Sequence, residues 1–158
     1  MIKVAQYKGK SLASRLIKFG TRGKYSHTAI ILEDNIIVEA WEGCNEVRLI
    51  HNVSEGHSHG TPVDIYEVDI DPTKEEEFSK FITSQIGKKY DKLGLVAFYF
   101  NREKLNRENK VFCSELLAEG CHSIGCFFWG DDTKPWQLSP TGVIRSERFK
   151  FSHSMVTT

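Results

Sequence analysis

The sequence predicts an α+β fold in which an antiparallel β-sheet is covered by helices. Two observations carry this. Short β-branched and aliphatic runs, separated by turn residues, crowd the first half of the chain. Apolar residues recur at helical spacing near the start and again through the second half.

Ile2 to Tyr7 alternates weakly and reads as a short strand. Ser11 to Phe19 places Leu12, Leu16, Ile17 and Phe19 at helical spacing, with Ser11 as N-cap and Gly20 as stop. Gly20 to Ser26 is a polar loop. Thr28–Leu32 and Ile36–Ala40 flank the turn residues Glu33-Asp34-Asn35 and predict a β-hairpin. Glu46 to Ile50 is a third strand after the loop that follows, His51–Thr61 is a surface loop rich in Gly, Ser and His, and Val63–Val68 is a further strand ended by Asp71-Pro72. Thr73 is the expected N-cap of a helix whose first turn holds Glu75, Glu76 and Glu77. Phe78, Phe81, Ile82 and Ile86 form its apolar face, and Gly87 ends it. Asp91–Phe100 predicts a buried helix, Asn101–Lys110 a charged loop, and Phe112–Ile124 another helix. A strand or loop follows around Val143–Phe149, and Ser152–Thr158 is expected to fray.

At 158 residues the expectation is one domain spanning 1–158, large enough to bury a core without staples. Lys plus Arg and Asp plus Glu both number 21, so no global charge argues for a nucleic-acid or membrane partner. The N-terminal residues contain no apolar run of signal-peptide or membrane-helix length, which makes a cytoplasmic location the expectation and excludes an integral membrane segment there. Cys44, Cys113, Cys121 and Cys126 contain no C-x-x-C pair, so reduced thiols are expected and no zinc ribbon.

Three residues combine into a chemistry. His27 stands at the mouth of the first hairpin strand and projects from a rigid sheet. Glu39, on the partner strand, is a carboxylate in an apolar run, costly to bury unless paired. It would fix the tautomer of His27 and stabilise its protonated form. Glu42 is the alternative for that role. Cys113 lies at the start of an apolar helix, whose N–H groups favour a thiolate and a developing oxyanion. Glu115 in the same turn partly opposes this. Cys121 and Cys126 have no polar frame and read as core.

These residues carry a resemblance. Tyr25-Ser26-His27-Thr28-Ala29-Ile30, Val38-Glu39-Ala40 and Phe112-Cys113-Ser114-Glu115-Leu116-Leu117 resemble the circularly permuted, YiiX-like branch of the NlpC-type papain-like cysteine peptidases and amidases, in which the histidine and its polar partner precede the cysteine. Gly87-Lys88-Lys89-Tyr90-Asp91 looks like that family's Gly-x-x-Tyr signature, and Leu138-Ser139-Pro140 through Phe149 like its C-terminal ending. The resemblance implies a permuted papain-like fold and a thiol hydrolase acting through an acyl-thioester on an amide, isopeptide or ester bond. Cys113 would be the nucleophile, His27 the base and then acid, and Glu39 its orienting partner. Tyr90, with Ser26 and Ser114, would bind substrate or oxyanion. The substrate would be a small molecule, peptide or lipid-amide, with no cofactor and no metal. An acyltransferase of the same fold and a non-catalytic binding module are the competing readings. A metal site formed by His57, His59 and a cysteine is a further one.

Overall fold

The computed structural model describes residues 1–92 and 109–158. The helix expected over Asp91–Phe100 and the loop over Asn101–Lys110 fall largely outside them. In chain order the elements are β1 (Lys3–Tyr7), α1 (Leu12–Gly20), β2 (His27–Ile31), β3 (Ile37–Trp41), β4 (Glu46–Ile50), β5 (Pro62–Val68), α2 (Pro72–Ser84), β6 (Lys89–Tyr90), β7 (Lys110–Val111), α3 (Cys113–Ser123), α4 (Pro140–Val143) and β8 (Phe149–Val156). The strands form a sheet in the order β7-β6-β4-β3-β2-β1-β5-β8. Every neighbouring pair is antiparallel except β6 with β7, which is parallel. This is the mixed α+β architecture the patterning predicts.

Alternation of side chains along the strands divides the apolar residues between the two faces of the sheet. One face carries Val4, Ile30, Val38, Ala40 and Val47, and packs on Phe78 and Ile82 of α2 and Leu116 and Leu117 of α3. The other carries Ala5, Tyr7, Ala29, Ile37, Ile50, Val63 and Ile65, with Val53 of the loop after β4 laid against them. Helices α2 and α3 approach closely at Gly120, where a β-carbon would stand 2.7 Å from Ile82 Cδ1 and 2.8 Å from Phe78 Cε2. A glycine is required there by contact, not by backbone angle.

The β2–β3 hairpin turns through a short 3-10 segment, Glu33–Asn35, in which Asp34 and Asn35 adopt φ of 59° and 57°. Asp and Asn tolerate this left-handed region better than other side chains. Three local expectations change. The N-cap of α2 is Asp71, which accepts from the Thr73 N–H, because Pro72 fits the first helical position where no N–H is needed. The same helix closes at Ser84, ahead of Gly87, which takes φ 87° in the connection to β6. The last residues do not fray. Phe149–Val156 is a full edge strand paired with β5, and beyond it Thr157 Oγ1 donates to Ser58 O at 2.6 Å and accepts from Thr61 N at 2.9 Å. Polar residues over 152–154 gave no apolar signal because their strand faces solvent on the edge.

Candidate active site

The site assembles where β2, β3 and β4 run side by side. In β3–β4 register Glu39 stands opposite Arg48, and β2 brings His27 diagonally across from Glu39. Period-two alternation puts His27, Glu39, Trp41 and Arg48 on the sheet face away from α2. The loop after β4 folds over that face and carries His57 onto it.

Glu39 is fully buried and its carboxylate is saturated. Oε1 accepts from Arg48 Nε at 2.9 Å and from Arg48 Nη2 at 2.6 Å. Oε2 pairs with His27 Nε2 at 2.7 Å and His57 Nε2 at 3.1 Å. Four donors therefore meet the roughly four lone-pair sites that an ionised carboxylate offers. Burial alone would push this carboxyl up. The charge of His27 and the hydrogen bonds from His27 and His57 override it and hold Glu39 well below the ordinary carboxylate range.

Aromatic rings wall the cluster. Tyr7 stacks on His57 with centroids 4.0 Å apart, and its hydroxyl donates to Val53 O at 2.9 Å. Trp41 meets both imidazoles edge-on, at 5.2 Å from His27 and 4.5 Å from His57. The Arg48 guanidinium lies 4.8 Å over the Trp41 ring and also donates to Glu55 O at 2.9 Å. Its seat explains Gly56, whose φ is 77° and where a β-carbon would come within 2.7 Å of Arg48 Nη2.

Cys113 occupies the first position of α3, with Phe112 as cap residue in extended backbone and Glu115 Oε2 accepting from the Phe112 N–H at 3.3 Å. Glu115 thus completes the helix start. The start of α3 meets the open end of β2, close enough for the Cys113 sulfur to act on the His27 ring through charge and hydrogen bonding. Burial opposes a charge on His27. The charges of Cys113 and Glu39 and their hydrogen bonds outweigh it and raise the imidazole to about 10. His57 moves the other way: burial favours its neutral form more than Glu39 favours its charged one. One imidazolium and one neutral imidazole share the carboxylate.

These opposite shifts set a pH window by linkage. His27, raised from 6.5 to about 10, contributes stability that is complete below 6.5 and disappears as the pH rises through 10. His57, lowered from 6.5, and Glu39, lowered from 4.5, contribute stability that is lost on acidification below those values. The site is therefore most stabilising near neutrality. Thermal melts across pH should show an alkaline decline that His27→Ala flattens, and an unaltered decline in that variant would contradict the shift.

A cleft opens beside His27, lined by Ser11, Ala13, Ser14 and Ile17 of α1 and its cap, and by Ser26, Trp41, Glu42 and Tyr90. Tyr90 is thus placed at the site. The hydroxyls of Ser26 and Ser114 are committed to the main chain: Ser26 Oγ accepts from Gly9 N at 3.0 Å and donates to Tyr7 O at 3.2 Å, and Ser114 Oγ donates to Leu138 O at 2.7 Å. Glu42 is exposed, and it is Glu39 that His27 meets. His59 is exposed as well, whereas His57 has its Nε2 on Glu39. Sequence reasoning overlooked Arg48, Tyr7 and Trp41. Arg48 left a signal, a charged residue inside a strand at the position that pairs with Glu39.

No family model matches the chain, and no curated protein does. Among solved structures, the crystal structure of metalloprotein yiiX from Escherichia coli O157:H7 superposes with a TM-score of 0.68 at 15% identity, covering 97% of this chain and 96% of that one. At that identity the likeness is one of fold, and this chain shares the yiiX fold over nearly its whole length.

Proposed function

We propose that the protein is a thiol hydrolase of amide or ester bonds, with Cys113 as nucleophile, His27 as proton carrier and Glu39 as the residue that positions His27. The observation that carries this reading is the His27 imidazole, held by a buried carboxylate at 2.7 Å on one side and acted on by a cysteine in the first position of α3 on the other. An imidazolium beside the sulfur is what a thiolate nucleophile needs.

Cys113 Sγ bonds to the substrate carbonyl carbon while the carbonyl electron pair moves onto oxygen. First-turn N–H groups of a helix lack intrahelical acceptors, so those of α3 suit that oxyanion. As the oxyanion collapses the carbon–nitrogen or carbon–oxygen bond breaks, and the leaving atom takes the His27 proton. Water then attacks the thioester, giving one proton to His27, and the sulfur departs with its electrons. Tyr90 and Trp41 line the approach to this centre. The chain order histidine, carboxylate, cysteine agrees with the permuted papain-like resemblance.

The name of yiiX raises a metal as a second reading, because His27, Glu39 and His57 offer ligand atoms within 4.8 Å of one another. A cation held there would have to displace the hydrogen bond between His27 and Glu39. Two ligands of one tetrahedral zinc stand about 3.3 Å apart, whereas His27 Nε2 and Glu39 Oε2 are 2.7 Å apart, a direct hydrogen bond. Arg48 already neutralises the same carboxylate.

Incubation with p-nitrophenyl butyrate followed by peptide mass mapping tests the proposal. A butyryl adduct on Cys113, accumulating when deacylation is slow and absent from the other three cysteines, is the expected result. Release of nitrophenol with the adduct mapped elsewhere, or with turnover that depends on zinc bound through His57, would overturn it.

A further inference from the structure

Surface helices of water-soluble proteins bury their apolar stripe and expose their polar one. Helix α1 does the reverse. None of its residues is buried. Leu12, Leu16 and Phe19, spaced four and three apart and so on one face, are 75%, 58% and 85% exposed. The half-buried residues of α1 are Ser14, Ile17 and Lys18, and the side-chain hydrogen bonds along it are local. Ser11 Oγ donates to Ser14 Oγ at 2.9 Å, Lys18 Nζ donates to Gly9 O at 2.8 Å, and Thr21 Oγ1 donates to Ile17 O at 2.8 Å.

Charge around the helix is as lopsided as its hydrophobicity. The first 32 residues contain Lys3, Lys8, Lys10, Arg15, Lys18, Arg22 and Lys24 and no Asp or Glu, in a chain whose net charge is zero. Lys8 and Lys24 lean toward Asp64, at 2.8 and 3.9 Å. Arg15 on the helix and Arg22 just after it are exposed, and Lys10 before it is exposed with its Nζ donating to Gly60 O at 2.7 Å.

We propose that α1 is an interfacial docking helix that seats the protein on an anionic lipid surface. Leucine and phenylalanine side chains enter the acyl boundary while flanking lysines and arginines meet lipid phosphates and carboxylates. A nucleic-acid backbone would satisfy the cations and leave the three apolar side chains in water. Docking by this face also sets the cleft beside His27 at the lipid surface, because Ala13, Ser14 and Ile17 of the same helix form its wall. The docking claim stands on α1 alone and does not depend on the thiol chemistry.

Co-sedimentation of the full chain with phosphatidylcholine vesicles, with and without about 30% phosphatidylserine, tests it. Binding should need the anionic lipid and weaken as salt rises. Phe19→Asp should reduce it on the order of tenfold or more, and the charge reversal Arg15→Glu with Arg22→Glu should abolish the preference for phosphatidylserine. All three positions are exposed, and circular dichroism of each variant checks that it folds. Equal binding to pure phosphatidylcholine, no binding to either vesicle, or binding unchanged by Phe19→Asp would each overturn the proposal. Self-association that Phe19→Asp abolishes, without lipid binding, would assign the face to a second copy of the chain and overturn it too.

Discussion

Cys113→Ser should lower turnover of an activated ester by on the order of 10⁴-fold or more, while leaving the melting temperature close to that of the parent. The two halves of this result are coupled. Removing the nucleophile of a cooperating set costs nearly everything the set contributes, because His27 and Glu39 have nothing left to activate. Stability is spared because serine replaces sulfur by oxygen at the first position of α3 without touching the apolar contacts of Leu116 and Leu117 behind it. His27→Ala should give a comparable loss of turnover. An assay in which Cys113→Ser keeps more than a few per cent of the activity would remove the cysteine from the reaction.

Glu39→Gln should have the opposite profile, with a large loss of stability as well as activity. The amide keeps the shape of the side chain but cannot accept from four donors, and it leaves Arg48 and the His27 imidazolium without their counter-charge. Breaking a buried ion pair from one side costs about 3–5 kcal/mol, which for a chain of this size lowers the melting temperature by roughly 6–20 °C. The loss belongs to the pairing, so Glu39→Gln combined with Arg48→Met should be less damaging than the sum of the two single changes. Strict additivity in that cycle would show that Glu39 and Arg48 are not coupled. The variant should also release part of the upward shift on His27, since the charge of Glu39 is among its causes.

Much of this was readable from residue pattern, and the reasons are local. The β2–β3 hairpin is written in two β-branched runs and a turn of Asp and Asn, so register brought His27 to the stretch from Glu39 to Glu42, and the structure decides for Glu39. Cys113 was recognisable because an apolar helix begins at it. His57 was singled out only as a metal candidate with His59, because its aperiodic Gly/Ser loop gave no sign that it meets Glu39. Its place against Glu39 is decided by stacking on Tyr7, a contact 50 residues apart in sequence. The strand β8 was hidden because an edge strand facing solvent carries no apolar alternation. Helix α1 was legible as a helix, yet its periodicity could not say which way the apolar face points. The structure turns it outward, and that orientation is the basis of the docking proposal.

Alkylation by iodoacetamide at neutral pH, mapped by mass spectrometry over all four cysteines, tests the central claim most directly. Accessibility and reactivity predict different orders here. Cys44 is exposed, whereas Cys113 is only 3% exposed and Cys121 is fully buried, with its thiol pushed up by that burial. If His27 activates the sulfur, Cys113 is alkylated faster than Cys44, and His27→Ala removes the advantage. Labelling of Cys113 as slow as that of Cys121, or a rate untouched by His27→Ala, would contradict the Cys113–His27–Glu39 assignment.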